Sequence, residues 1–453
     1  MIPGYIRKTM TALTNAGYEC YIVGGAVRDI LRGVPVHDYD ITTSAEPSET
    51  IRVMTDDGFR LIIDSSVRYG TAVFIDPSDK SSRIEITTFR TDSDYADSRH
   101  PDNVAFTGSL EEDAARRDFT VNSLYMDVNG CIADPNGGEA DIRNKLIRAV
   151  GDPGKRFQED ALRILRAVRF ESRTGFTIEE KTSEAMRKYR YLLKNISAER
   201  IFSEMTGIVT GINGSSAIRN NLEVISVIIP ELLIQKDFDQ RSKYHDRDLL
   251  THTLDVLDEI PVGEDGKRDA LLSYAAIFHD IGKPEVFTVD ENGEGHMKKH
   301  AAAGVKIAER VCSELKTPLN FKQQLMELVM YHDSYPDATR KSVKRFIALL
   351  GYDMCDKLFI LQKADVLAHS SIGLERLDTL AGIMEMYGQI RAEQPCLTVK
   401  DLRINGHDIM ELGVPSGPKI GMILRDVLSL VIDEKLPNDK EAIMSFIKSE
   451  YRI

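Results

Sequence analysis

Long apolar runs are missing from this sequence. None approaches the ~20 residues needed to cross a bilayer, and Met1-Ile2-Pro3-Gly4-Tyr5-Ile6-Arg7-Lys8 lacks the apolar core of a secretion signal. These absences exclude a membrane partner and predict a soluble, cytoplasmic protein. Cysteine is sparse: Cys20, Cys131, Cys312, Cys355 and Cys396 are scattered without CxxC spacing, against a zinc ribbon or a disulfide framework. Positive charge is short as well. With 58 Lys and Arg against 71 Asp and Glu, the net charge of −13 argues against a protein coated non-specifically in nucleic acid. No internal repeat or low-complexity linker interrupts the 453 residues, a length that allows roughly three domains with sizeable cores.

Charge is unevenly spread, however. Between Asp141 and Glu204 there are fifteen Lys or Arg and ten Asp or Glu, so a basic segment lies inside an acidic chain. A phosphate or RNA contact belongs there. The chain is organised around Gly24-Gly25-Ala26-Val27-Arg28-Asp29, preceded by the strand-like Tyr21-Ile22-Val23 and followed by Asp38-Tyr39-Asp40-Ile41-Thr42. Two glycines between a strand and a helix let backbone N–H groups approach a phosphate. At the two-residue period of a strand, Asp38 and Asp40 share one face and can hold the same hydrated divalent ions. Taken singly, the glycine pair also reads as a tight turn and the aspartates as a solvated strand end. Together they point to a nucleoside triphosphate with metal.

This combination resembles the class II nucleotidyltransferase family, which contains the CCA-adding enzymes of tRNA and the bacterial-type poly(A) polymerases. Further along, Arg83-Ile84-Glu85-Ile86-Thr87 alternates as a half-buried strand, making Glu85 a candidate third carboxylate, with a surface Glu as the alternative. Thr91 to Asn103 reads as a polar, mobile loop, and by the resemblance a loop at this place helps to switch nucleotide preference. In Leu110–Asn122, Arg116 and Arg117 offer forked donors to a triphosphate, and Asp118 can accept from a ribose 2′-hydroxyl. The resemblance gives Arg117 and Asp118 these roles.

The most informative helix is expected over Arg156–Phe170. Ala161, Ile164, Leu165 and Val168 form its apolar face, with Asp160, Arg163, Arg166 and Phe170 opposite. An ordinary i,i+3 ion pair between Asp160 and Arg163 is one reading. The other is chemical: cytosine and adenine each set an amino donor beside a ring-nitrogen acceptor, so one Asp and one Arg match both bases. Uracil and guanine invert the pattern, leaving buried polar groups unpaired at about 1–3 kcal/mol each. Side chains would then select C and A without a nucleic-acid template. By the resemblance, Arg166 and Arg169 also bind nucleotide or primer phosphate, and Ala198–Glu204 is a structural motif in which Glu199, Arg200 and Glu204 brace this helix.

A second candidate centre follows. His252, the pair His279-Asp280 in Phe278-His279-Asp280-Ile281-Gly282-Lys283-Pro284, and Asp365 form an ordered set that resembles the HD phosphohydrolase superfamily. Neutral imidazoles with carboxylates suit a divalent transition metal that activates water against a phosphoester. His300 and His332 fall where the resemblance places extra ligands of two-metal members. Near the C-terminus, Thr398–Leu412 reads as a helix before a Gly/Pro turn and a second helix. Turn N–H groups and Lys419 there can meet a phosphate, a plain helical hairpin being the alternative.

The expected fold is therefore a small mixed α/β nucleotidyltransferase head, residues 1–135, followed by all-α modules. These are a nucleobase-recognition neck at 136–240, an HD module at 241–375 and a tRNA-binding tail at 376–453. The implied function is addition of CMP, CMP and AMP to tRNA, with Mg2+ at Asp38 and Asp40, and with ATP, CTP and tRNA but not DNA as partners. A poly(A) polymerase is the nearest alternative, although Phe89-Arg90-Thr91-Asp92 departs from the Gly-basic-basic-Phe signature of that subgroup. Partial addition of CC or A remains open, as does an HD phosphohydrolase with a nucleotide-sensing N-terminus.

Overall fold

A computed structural model describes residues 2–36, 38–62, 67, 69–77, 79–92, 104–242, 244 and 246–451. The chain forms two compact units, Met1–Leu233 with Glu314–Lys316, and Ile234–Ser313 with Thr317–Ile453.

In the first unit, α1 (Gly4–Asn15) leads to β1 (Cys20–Val23), α2 (Gly25–Leu31), β2 (Asp40–Thr43), α3 (Pro47–Asp56), β3 (Arg60–Ile62), β4 (Thr71–Asp76) and β5 (Asp79–Thr88). Next come β6 (Arg90–Asp92), β7 (Val104–Phe106), α4 (Leu110–Ala115), β8 (Tyr125–Met126) and β9 (Ile132–Ala133). Seven strands form one sheet in the order β3-β4-β5-β2-β1-β8-β9. Only β2 and β5 run parallel; the other neighbours are antiparallel. Period-two patterning holds the sheet in place: Ile22, Ile41, Phe74, Ile84 and Ile86 are buried, while Glu85 stays on the exposed face. Of the polar loop expected at Thr91 to Asn103, residues 93–103 lie outside the described residues; its flanks pair as β6 and β7.

The helical remainder of this unit contains α5 (Gly138–Asn144), α6 (Pro153–Glu159), α7 (Leu162–Thr174), α8 (Glu180–Tyr189), α9 (Ala198–Val209) and α10 (Gly214–Asn220). Here the structure corrects the expectation of one helix over Arg156–Phe170. Asp160 is extended (φ −140°, ψ 102°) and separates α6 from α7. The cause is local: its Oδ1 accepts from the backbone N–H of Leu162 at 3.0 Å, a side-chain bond that favours a new helix start over a continued one. Ala161, Ile164, Leu165 and Val168 are fully buried, as their spacing requires.

The second unit is almost wholly helical among the described residues. Asp248 caps the helix Leu249–Glu259, so His252 lies one turn inside it. One apolar core gathers Val343, Phe359, Leu380, Ile383 and Tyr387, and another gathers Ile404, Ile409, Ile423, Val427 and Ile443. The helix expected over Thr398–Leu412 is a short 3-10 turn at Val399–Asp401 and a separate helix at Gly406–Glu411. Asn405 accounts for the break, because it and Asp408 cap each other's backbone N–H groups in a capping box. Among the described residues no helix is long and apolar enough to cross a membrane.

Candidate nucleotidyl-transfer cleft and metal-ligand cluster

Gly24, at the exit of β1, adopts φ +73° and ψ −129°, a conformation that side-chain-bearing residues rarely reach. The turn starts α2, which carries Arg28. Its Nη1 donates to Asn122 Oδ1 at 2.7 Å and its Nε and Nη2 donate to the Asp29 carboxylate at 3.0 Å. Opposite this turn, Asp40 opens β2, whereas Asp38 precedes the strand. Both line one cleft whose wall does not include Tyr39 between them.

The parallel pairing of β2 with β5 sets Asp40 directly beside Glu85. Asp40 is reached by water, yet it sits in a concavity that replaces much of its hydration. That desolvation, then the charges of Asp38 and Glu85, raise its pKa to about 6 against the pull of Arg117. Carboxylates that repel one another in this way fit a divalent cation, which would relieve the repulsion.

On the neighbouring wall Asp113 organises the arginines. Its buried carboxylate accepts from Arg116 Nη2 at 2.6 Å, from Arg117 Nη2 at 2.8 Å and from Tyr125 Oη at 2.7 Å. Burial opposes its charge, but Arg117 and Arg116 outweigh burial and lower its pKa to about 2. Because the folded value is depressed, the stabilisation is complete above the ordinary carboxylate pKa and disappears as pH falls from about 4 through about 2. Asp113→Asn should accordingly be less stable than the wild type at pH 7, with the gap shrinking by about 2 kcal/mol between pH 5 and pH 2. Urea denaturation of both proteins across that range checks it; a gap independent of pH refutes the ion-pair account.

Asp118 Oδ2 accepts from Arg166 Nη2 at 2.6 Å and Nε at 2.9 Å, and its Oδ1 accepts from the Phe119 N–H at 2.8 Å. Arg166 overcomes burial and keeps this carboxyl below its usual range. Asp160 and Arg163 do not form the i,i+3 ion pair that an uninterrupted helix would allow. Asp160 Oδ2 instead accepts from Arg200 Nη2 at 2.9 Å, and the buried Arg163 donates to Glu159 Oε2 at 2.8 Å and to the Arg116 carbonyl at 2.9 Å. Glu204 lies 2.6 Å from Arg169, so Arg200 and Glu204 both brace this region; Glu199 is exposed. Phe170 is covered by Arg28, Arg166 and Arg169, whose guanidiniums lie 5.0–5.5 Å from its ring centre.

Most of these groups line a single cleft of about 540 Å³, Glu85 and Asp113 not among them. Gly24, Gly25, Arg28, Asp38, Asp40, Arg117, Asp118, Asp160, Arg163, Arg166 and Arg169 all belong to its wall. Eight arginines against four aspartates make it a cationic slot with an acidic corner, inside a chain of net charge −13. Sequence reading overlooked Asp113, Asn122 and Arg173. For Asp113 a signal existed, since it stands three and four residues before Arg116 and Arg117 on a helix.

In the second unit, His252 Nε2 lies 3.5 Å from Asp280 Oδ2 and 3.1 Å from Asp365 Oδ1, and His279 Nε2 lies 3.2 Å from Asp280 Oδ2. The other Asp280 oxygen faces His300 and His332, whose Nε2 atoms are 3.4 and 3.6 Å away. One carboxylate thus joins two ligand groups, His252 with His279 and His300 with His332, each with all ligand atoms within 4.8 Å of one another. Burial disfavours charge on His252, but Asp280 and Asp365 outweigh it and raise its pKa to about 9. A proton held between buried carboxylates is what a cation would displace, so this donor set also fits metal. Gly282 makes the arrangement possible: a Cβ there would stand 2.3 Å from the His300 carbonyl oxygen.

Residues 20–148 match the poly A polymerase head domain, 175–232 a probable RNA- and SrmB-binding site of polymerase A, and 301–447 a putative second domain of tRNA nucleotidyltransferase. The Bacillus stearothermophilus CCA-adding enzyme, solved in complex with CTP, superposes with a TM-score of 0.70 at 27% identity, over 100% of this chain and 98% of that one. A Thermotoga maritima CCA-adding enzyme complexed with tRNA shares the fold, with a TM-score of 0.59 at 19% identity, covering 99% of this chain and 95% of that one. The CCA-adding enzyme of Streptococcus pyogenes serotype M5 is 30% identical over 99% of this chain and 98% of its own length. The chain is therefore a nucleotidyltransferase that belongs to the class II CCA-adding enzyme family.

Proposed function

We infer that this chain adds CMP, CMP and AMP to the 3′ end of tRNA from CTP and ATP, releasing pyrophosphate, in the cytoplasm. The observation that carries this reading is the presence of Asp38 and Asp40 with Asp160 and Arg163 in one cleft. Asp38, Asp40 and, beside them, Glu85 would hold Mg2+, which supplies activation of the primer hydroxyl and charge neutralisation on the leaving pyrophosphate. Arg28, Arg117 and Arg169 orient the triphosphate from the cationic wall. Asp118, fixed by Arg166, retains lone pairs that can accept from a ribose 2′-hydroxyl. Asp160 and Arg163 face the base, and their present partners, Arg200 and Glu159, keep the two side chains ordered until it arrives. On this reading residues 1–135 are the catalytic head, 136–240 the base-selecting neck, 241–375 the HD module and 376–453 the tRNA-binding tail.

The direct test offers each NTP separately to tRNAs ending before CCA, after C and after CC, and sequences the ends. Stepwise C, C and A addition is expected; long A tails or no extension refutes the assignment. Asp160→Asn keeps an oxygen for the Leu162 cap but replaces one acceptor by a donor. It should reduce the preference for CTP over UTP by about 10- to 100-fold, the effect of losing one buried hydrogen bond, with far less change in Mg2+ dependence. An unchanged preference in single-turnover competition refutes side-chain templating.

The Asp280 cluster supports a second activity, metal-dependent phosphoester hydrolysis. His252, His279, Asp280 and Asp365 would hold one divalent transition metal, and Asp280 with His300 and His332 a second, supplying activated water. Its support is the bridging position of Asp280.

A further inference from the structure

Eight arginines line the addition cleft. Seven of them face a carboxylate oxygen at 3.0 Å or less. Arg173, in the last turn of α7, is the exception: among the described residues it pairs with no carboxylate. It is exposed at the cleft wall, where water meets its guanidinium. A cation left uncompensated beside others that are already neutralised is where an arriving anion gains most.

The helix α7 orders the cleft along its length. Arg163, Arg166, Phe170 and Arg173 follow one another at three, four and three residues, so they share one helix face. From the first to the last is about 15 Å at the helical rise, the scale of an extended nucleoside triphosphate. On the addition reading, Asp160 and Arg163 meet the base, and Asp118, held by Arg166 at 2.6 Å, meets the ribose. Arg28 and Arg169 then flank Phe170, 5.4 and 5.0 Å from its ring centre, at the level of the phosphates. Arg173 stands one turn further on.

The neighbouring helix makes room for it. Gly207 is buried on α9, and a Cβ there would stand 2.5 Å from Arg169 Cδ and 3.7 Å from Arg173 Nη2. Arg169 has little freedom to swing aside, because Glu204, one turn earlier on α9, holds its Nε at 2.6 Å. Bare backbone at Gly207 therefore seats both side chains. Burial, with the charges of Arg166 and Arg173, pulls the Arg169 pKa below its ordinary value against the opposing effect of Glu204. Cations are crowded at this end, and a phosphate would relieve the crowding.

We propose that Arg173, seated over Gly207, binds the terminal phosphate of the incoming CTP or ATP and is the group by which this cleft separates a nucleoside triphosphate from a diphosphate. This rests on the addition reading and deepens it. In that reaction the primer 3′-oxygen bonds to the α-phosphorus as the α–β P–O bond breaks, pyrophosphate leaves with the electron pair, and the primer proton passes to water. Arg173 holds the far phosphate of the leaving group before and after that step, so its contribution falls on binding more than on chemistry.

The test uses the full chain with a tRNA ending before CCA. It measures kcat and KM for CTP and for tRNA, and inhibition by CDP, by pyrophosphate and by the non-hydrolysable α,β-methylene analogue of CTP. The wild type should bind the analogue at least tenfold more tightly than CDP, the scale of a hydrogen-bonded charge pair. Arg173→Ala should reduce that ratio to about two, raise KM for CTP about tenfold and weaken pyrophosphate several-fold, with a smaller change in kcat. Its CDP affinity and its KM for tRNA should stay within about twofold of the wild type, and Arg173→Lys should recover part of the ratio. Gly207→Ala, which crowds both guanidiniums, should lower the same ratio several-fold. An unchanged ratio in Arg173→Ala overturns the proposal while sparing the addition reading. A raised KM for tRNA at an unchanged ratio assigns Arg173 to a primer phosphate and overturns it equally. An unchanged ratio in Gly207→Ala overturns the seating role of that glycine. No extension of tRNA by the wild type overturns the addition reading and this proposal together.

Discussion

Asp40→Asn is expected to lower nucleotide addition by about 10³-fold or more, the scale of losing several kcal/mol of charge stabilisation at a metal-assisted phosphoryl transfer. The substitution is nearly isosteric and its side chain lines an open cleft, so the fold should tolerate it. Relief of the desolvated charge and of repulsion with Asp38 and Glu85, which together hold the Asp40 pKa near 6, should make the metal-free protein slightly more stable at pH 8. Loss of activity together with unchanged or raised stability is the distinguishing result. Single-turnover incorporation of CMP under saturating Mg2+, paired with urea denaturation in EDTA, measures both. Activity within tenfold of wild type would remove Asp40 from the catalytic centre.

Asp280→Asn should reduce phosphoester hydrolysis to background, by about 10³-fold or more, while CMP addition stays within about twofold. The asymmetry follows from construction: every residue lining the addition cleft lies between Gly24 and Arg200, and the Asp280 cluster draws on none of them. Asp280 faces both histidine pairs, so one amide substitution weakens two ligand groups together. Mn2+ titration should show affinity lost at both positions. Retention of one tight site would mean that the carboxylate does not join them, and an equal fall in CMP addition would contradict the separation of the two chemistries.

Some of the architecture was legible because local rules carried it. Ile84 and Ile86 against Glu85, and the spacing of Ala161, Ile164, Leu165 and Val168, are periodicities that any half-buried strand or helix must show. The break at Asp160 was illegible to the same reasoning. Hydrophobic period continues smoothly through it, and only a side chain turning to bond the Leu162 N–H reveals that one helix has become two. The start of the last helical pair was missed for a like reason, a reciprocal cap at Asn405 and Asp408 inside a helix-compatible pattern. Asp113 was passed over because its importance lies in three partners, of which only Arg116 and Arg117 are near in sequence; Tyr125 joins them through the sheet.

Residue order alone pointed to nucleotidyl transfer, since paired carboxylates and forked guanidiniums act through functional groups that can be read one letter at a time. Proximity was beyond it. That Asp38 and Asp40 share a cleft with side chains more than a hundred residues later, and that Asp280 stands between two pairs of histidines, were decided by packing. Burial of the apolar faces selects one arrangement of the elements, and distances between polar groups on opposite walls are its consequence, written in no local pattern.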